Sequence, residues 1–361
     1  MTRLPPVGVV RAATGVRTAI QGLARRMVPP EVGILEVSSA FMASQAVYAV
    51  ARLGIADVLA AGARTAEEVA ADLGTDPDAT FRLLRASAAY GIVRHVGDRF
   101  DLTAVGRTLV SDSPDSMRSV VLMIGDPRYQ SVWGRLPEGV TTGDPQAEAV
   151  HGVPMWWDLL DRDADYASTF NDAMGRLTEL DWPTVAAVYD FTPFGTIVDV
   201  GGGHGQLLAL MLGAAPVADG VLLEQPSLIG PAEKHLGEAG VLDRCRLVGG
   251  SFFETAPDDG DLYVLRRVVH DFDDDQAVAL LTILRRHMPS GATLLLVESV
   301  VPPGDAPHFA KSLDLDMLLF VGGRERTEAE FASLLERSDF RMTRVVPTIS
   351  TISLVEARPA D

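Results

Sequence analysis

The stretch Ile197-Val-Asp-Val-Gly-Gly-Gly-His-Gly205 constrains this chain more than any other. An apolar strand runs into four glycines in five positions, and a helical pattern follows at once. Glycines at such a junction let the backbone turn tightly and let a ligand approach it closely. A tight turn with no ligand is the plainer alternative, and four glycines argue against it. The dinucleotide fingerprint G-x-G-x-x-G fails here: counting from Gly201 puts Gln206 at its third glycine, and counting from Gly202 puts His204 at its second. A nicotinamide oxidoreductase therefore loses its motif.

Around this loop, strand-like and helix-like segments alternate, the mark of a parallel sheet. Strands are expected at residues 196–200, 220–224, 245–249, 262–266, 293–300, and 343–347 with 351–357. Helices are expected at 206–215, 228–239, 274–288 and 327–338. The second strand ends in Glu224, about twenty residues past the glycines, where a carboxylate can accept both ribose hydroxyls of a nucleoside.

Before this region the pattern differs. A long apolar segment from Leu35 to Leu53 closes at Gly54. Thr65-Ala-Glu-Glu68 reads as a capping box for a helix that stops at Gly74, and Asp76-Pro77 opens another that ends near Gly91. Two alternating strands around a Gly97-Asp98 turn follow within residues 92–102. Helix, helix, hairpin is the winged-helix pattern. DNA binding is disfavoured, because Arg82 and Arg85 are the only bases of the second helix, while Glu67, Glu68, Asp72, Asp76 and Asp78 surround them. The whole chain repels nucleic acid too, with 49 acids against 31 bases and a net charge of −18.

The balance instead suits a soluble, cytoplasmic protein with a cationic ligand. The longest apolar runs look strand-sized, short of the roughly 20 residues a bilayer demands. Arg3, Arg11, Arg17, Arg25 and Arg26 precede any acid, but no continuous apolar core accompanies them, so residues 1–30 read as a helical arm for subunit contact rather than a targeting peptide. Cys245, the only cysteine, reads as an inert core thiol. Seven scattered histidines show no ligand-like spacing, so no metal is expected.

Asp199-x-Gly201-x-Gly203-x-Gly205 resembles motif I of the class I S-adenosylmethionine-dependent methyltransferases. Further pieces follow in order: Leu265-Arg-Arg-Val-Val-His270-Asp-Phe-Asp-Asp-Asp275, Leu296-Val-Glu298 with Val300-Val-Pro-Pro303, Asp314-Leu-Asp-Met317, and Gly322-Gly-Arg-Glu-Arg-Thr327. Together they resemble the plant-type and bacterial small-molecule O-methyltransferases over about residues 35 to 357. The resemblance implies an α/β fold: a Rossmann-like class I methyltransferase domain at 191–361, preceded by a winged-helix dimerisation domain at 31–112 and a helical linker at 113–190 lining the substrate pocket. It implies a homodimer acting on a small aromatic molecule, polyketide or phenolic, with S-adenosylhomocysteine as product and neither nucleic acid nor membrane as partner.

The same resemblance distributes roles. Asp199, Gly201, Gly203, Gly205 and Glu224 would bind the cofactor, and Arg266 maps to a lysine that holds its carboxylate. Ser251 and Phe252 fall where the family shows Gly-Asp-Phe-Phe around the adenine. Ser251 replaces the aspartate, and Phe252 keeps a ring that can stack. Glu298 and Glu325 map to two acids flanking the base His270. A phenol of pKa about 10 is a poor nucleophile at neutral pH, and an imidazole of pKa about 6.5 can remove its proton as the new bond forms. Asp271 is placed to share that role. Phe272, next in the loop, can face the sulfonium cation. The run Asp273-Asp274-Asp275 is expected to cap a helix rather than hold a metal. Trp156, Phe170, Met174, Met317 and Phe320 are the substrate-pocket candidates, with core packing as their alternative. Two rival functions remain at this level: a relative with non-methylating chemistry, such as hydroxylation or decarboxylation of a polyketide, and a winged-helix DNA-binding regulator.

Overall fold

A computed structural model describes residues 7–360. Contacts divide the described residues into two units: 20–131 with 160–176, and 132–159 with 177–360, to which residues 7–19 are also assigned. The segment 113–190 is therefore shared between the units. The expected arm is a helix, Val7–Arg26, whose side chains Val16, Ile20 and Leu23 lie exposed.

In the smaller unit, the apolar stretch closed by Gly54 is one helix, Pro30–Leu53. Gly54 ends it at φ 74°, a conformation that costs glycine little. Only Val50 and Ala51 of this helix are buried, whereas Ile34, Leu35, Val37, Phe41 and Met42 are exposed. Reading runs of apolar residues alone underrated this segment: it has a mean hydropathy of 1.3 and, by length and composition, could cross a membrane. Interspersed polar side chains had hidden its 24-residue length.

The capping box forms as expected. Thr65 Oγ1 accepts from the Glu68 N–H at 3.3 Å, and Glu68 accepts from the Thr65 N–H at 2.9 Å, starting helix Ala66–Leu73. Asp76 caps helix Pro77–Ala89 through the Ala79 N–H. Strands β1 (Val93–Val96) and β2 (Arg99–Leu102) pair antiparallel across the turn at Gly97, φ 66°. Arg99 reaches back to Glu68 with two hydrogen bonds of 2.8 and 2.9 Å. These elements close over Val50, Leu59, Val69, Leu84, Phe100 and Leu102.

The larger unit is built on a seven-stranded sheet. Its strands are β3 (Thr196–Val200), β4 (Asp219–Glu224), β5 (Cys245–Gly249), β6 (Leu262–Arg266), β7 (Thr293–Glu298), β8 (Phe340–Pro347) and β9 (Ser353–Pro359), in the order β5-β4-β3-β6-β7-β9-β8. The first five run parallel, and β9 and β8 close one edge antiparallel. The fifth strand stops at Glu298, two residues before the expected end, because Val300 leaves the sheet to bridge Arg326.

Both faces are covered, and alternation sorts the side chains between them. Val198, Leu294 and Leu296 pack with Leu280, Leu284, Phe331 and Leu335 of helices Asp274–His287 and Glu328–Arg337. Ile197, Leu295 and Val297 pack with Leu208, Met211 and Leu236 of helices Gln206–Ala214 and Pro226–Glu238 on the other face. Strand order reverses at β3, whose neighbours β4 and β6 lead to opposite edges. Such a reversal leaves a crevice at the carboxyl ends of the strands.

Replacing Thr65 with alanine removes half of the reciprocal cap, so Thr65→Ala should lower the unfolding free energy by about 1 kcal/mol. Urea denaturation measures this, and an unchanged midpoint would show that the box contributes nothing.

Candidate active site

The glycine turn, Glu224, Arg266, His270 and Glu298 all lie at or just after the carboxyl ends of β3 to β7. After β3, Gly201, Gly203 and Gly205 take φ values of 69°, 58° and 78°. That left-handed path turns the chain into helix Gln206–Ala214. Gly202 is constrained differently, since a Cβ there would overlap the Asp199 carboxylate. Asp199 is buried, and neither of its carboxylate oxygens has a hydrogen-bond partner. Burial and the neighbouring Glu224 push its pKa up to about 7. Glu224, at the end of β4, accepts from the Gly203 N–H at 2.8 Å and the Gln225 N–H at 2.6 Å, so it holds the glycine loop in place. Its own pKa is raised by burial.

Phe252, after β5, lies against the loop, its Cε1 3.5 Å from where a Gly201 side chain would begin. It joins Phe253 and Phe272 in a cluster with centroids 5.0 to 6.1 Å apart, in which Phe272 meets both other rings edge-on. Ser251 spends its hydroxyl locally, accepting from the Phe253 N–H at 3.2 Å. Arg266, at the end of β6, pairs with Asp181 at 2.9 Å, a buried partner the sequence did not single out. Arg267 leans on the same carboxylate at 3.8 Å and takes φ 52°, an unusual backbone for an arginine. Burial first, and Arg267 second, bring Arg266 down to about 10.

That left-handed residue turns the chain into a single 3-10 turn, Val269–Asp271, carrying His270. The histidine is 5% exposed. Its Nδ1 lies 2.7 Å from Glu325 Oε1 and 3.9 Å from Glu298 Oε2, and its Nε2 lies 3.4 Å from Asp271 Oδ1. Glu298 does more than flank the ring: its Oε1 accepts from the N–H groups of Val268 and Val269 at 3.1 and 3.0 Å. Glu325 is itself seated by Asp314, which accepts its N–H at 2.9 Å. Burial raises the pKa of Glu298, pushes Glu325 up to about 8 and pushes Asp271 up to about 7. Candidate donor atoms of His270, Glu298 and Glu325 lie within 4.8 Å of one another, a spacing a metal ion could also use. The three acids at 273–275 serve as expected: Asp273 caps helix Asp274–His287 and completes a box with Gln276.

Of the pocket candidates, Trp156 and Phe320 meet edge-on at 4.6 Å, and both are buried, as is Met317. Phe170 and Met174 belong to the smaller unit. The Met317 carbonyl accepts from Val321, Gly322 and Gly323, which ties helix Phe309–Phe320 to the segment carrying Glu325. A cavity of about 700 Å³ opens instead where the strands begin, between Tyr189, Asp261, Thr293 and Arg344. Its Arg344 and Tyr189 are both bonded to Glu356, and it holds none of the groups above. Cys245 is half-buried, with its thiol pushed up to about 11 by burial.

Comparison with known proteins identifies the family and the fold. The profile of the O-methyltransferase domain matches residues 133–341, and that of the O-methyltransferase dimerisation domain matches residues 35–112. The phenazine O-methyltransferase PhzM of Lysobacter antibioticus is 39% identical over 92% of this chain and 97% of its own. The crystal structure of LaPhzM superposes with a TM-score of 0.86 at 39% identity, covering 92% of this chain and 100% of that one. An O-methyltransferase from neocarzinostatin biosynthesis, solved with S-adenosylmethionine and 2-hydroxy-5-methyl naphthoic acid, gives a TM-score of 0.76 at 33% identity, covering 88% and 95%.

The buried acids make stability depend on pH with a definite sign. A carboxyl whose folded pKa exceeds its unfolded value keeps a proton the unfolded chain has released, so the fold loses stability as pH rises through that window. For Asp199, Asp271 and Glu325 the window runs from ordinary carboxyl values of 3.8 to 4.5 up to about 7 to 8. The melting temperature of the ligand-free protein should therefore fall between pH 6 and pH 8.5. Glu325→Gln, uncharged throughout, should flatten the slope, and equal slopes would refute the assignment.

Proposed function

Because the chain belongs to the O-methyltransferase family, we propose that it moves the methyl group of S-adenosylmethionine onto a hydroxyl of a small aromatic molecule, with His270 as general base. The observation that carries this reading is the buried 2.7 Å contact between His270 Nδ1 and Glu325, placed on the loop beside the glycine turn. With the Nδ1 proton directed at Glu325, the lone pair of Nε2 is left to accept the proton of an incoming hydroxyl. With the cationic cofactor bound, Glu325 would be held ionised and would stabilise the imidazolium that forms.

The residues at the strand ends fit the cofactor. The bare Asp199 carboxylate and Glu224 offer negative charge and acceptors for a cationic nucleoside, the glycines admit it to the backbone, and Phe252 supplies a stacking face. The bound sulfonium supplies an electrophilic methyl and leaves as a neutral thioether. The protein holds the acceptor in line and removes its proton, and such placement can lower the barrier by several kcal/mol. Phenazine and naphthoate ring systems, named for the relatives above, are the first acceptors to try.

The decisive experiment combines calorimetry with turnover. Glu224→Ala should weaken S-adenosylmethionine binding, whereas His270→Ala should retain it and lose about 10²- to 10⁴-fold in turnover. An unchanged rate in His270→Ala would place the base elsewhere. Treatment with EDTA should leave turnover intact, and a loss restored by a divalent cation would assign the His270 cluster to a metal.

Self-association follows from the dimerisation domain, and we assign it to the exposed face of helix Pro30–Leu53. Contiguous apolar surface of this kind marks an interface. Phe41→Glu should convert a dimer to monomer in sedimentation velocity while the monomer keeps its fold, and a dimer that persists would move the interface to another surface.

A further inference from the structure

We propose that Arg326 is a positioning residue that sets the aim of His270, an inference that rests on the reading of His270 as the base. Arg326 is 1% exposed, among the largest fully buried side chains of the described residues. A guanidinium is buried at great cost unless each donor finds an acceptor. Here the acceptors lie on the two sides of the histidine. Nη1 donates to the Val269 carbonyl at 3.0 Å, and Nη2 donates to the Phe272 carbonyl at 2.9 Å. Both Nε and Nη2 close on Asp274 Oδ1, at 3.0 and 2.9 Å. One rigid planar group thus spans the four-residue turn that contains His270 and Asp271.

The backbone next to Arg326 grips the same turn. The Arg324 N–H donates to the His270 carbonyl at 2.8 Å, and Gly323 packs so closely that a Cβ would overlap that carbonyl. The Val301 N–H donates to the Arg326 carbonyl at 2.9 Å, which fixes the segment to the chain leaving Glu298. Ring and turn are therefore held from one segment, Glu325 taking the imidazole and Arg326 taking the backbone on both sides of it. Only a forked donor does this. A lysine ammonium is a point charge that cannot reach carbonyls of residues 269 and 272 together with Asp274.

The test uses the full-length protein and two variants, Arg326→Lys and Asp274→Asn. The second lies at a half-exposed side chain and takes the charge from the far anchor while keeping an acceptor oxygen, so it reports even if the first does not fold. In acceptor-free samples, nitrogen NMR of labelled histidines, assigned with His270→Ala, should show one fixed tautomer for wild-type His270. Arg326→Lys should show the averaged tautomers of a free imidazole, and Asp274→Asn a partial shift. With 2-hydroxy-5-methyl naphthoic acid or a hydroxyphenazine as acceptor, kcat of Arg326→Lys at pH 7 should drop about tenfold to hundredfold, with KM for S-adenosylmethionine within about twofold. The deficit should shrink as pH climbs towards the phenol pKa of about 10, because a misaimed base matters only while the hydroxyl keeps its proton. A wild-type histidine spectrum in both variants, or a deficit that is constant with pH, would overturn the proposal. If His270→Ala also shows a constant deficit, the base assignment itself falls. If only the Arg326 and Asp274 variants do, the base stands and the positioning role falls.

Discussion

Glu298 is a fully buried carboxylate at the end of a fully buried strand, and the site is organised by the need to satisfy it. Its Oε1 accepts two consecutive N–H groups from the loop after β6. Leaving that buried oxygen without a donor would cost about 1 to 3 kcal/mol, so the loop is drawn to the acid and His270 follows it. The left-handed backbone of Arg267 is the strained residue that makes this turn possible, and its side chain adds positive charge beside the acids. What looks in sequence like a pair flanking His270 is, in space, also the support of the loop that carries it.

The electrostatic pattern points the same way. Asp199, Glu224, Asp271, Glu298 and Glu325 are all held above ordinary carboxylate pKa values by burial. Keeping so many acids within one crevice is costly for the ligand-free fold, and a cationic ligand would relieve that cost. Arg266 is committed to Asp181, so a carboxylate arriving with the cofactor would share that guanidinium rather than find it free. The acidic surplus of the whole chain adds a long-range field of the same sign.

Legibility in the sequence was uneven for physical reasons. Local signals translated directly: the Thr65 box, the acidic cap at Asp273, the Gly54 stop, the Gly97 turn and the strands through residue 266 are all set by neighbours a few residues apart. The end of β7 was missed because Val300 is diverted by a bridge to Arg326, a partner far along the chain. Asp181, Asp314 and Arg326 stood within or near stretches already noticed, yet nothing in their spacing announces that they meet Arg266, Glu325 and the His270 turn. The helix Pro30–Leu53 was visible as an apolar segment, but the exposure of its face was not.

By itself the sequence determined the class of fold, the glycine turn with its acid, and the identity of the candidate base, because periodicity, glycine placement and motif order are properties of the chain. Only the tertiary structure decided that Glu325 bonds the ring while Glu298 bonds the backbone, and that Arg326 braces the turn between them. Two glutamates are chemically alike until burial and neighbours distinguish them. Those neighbours arrive from strands and loops separated by tens of residues, brought together only when the sheet is assembled.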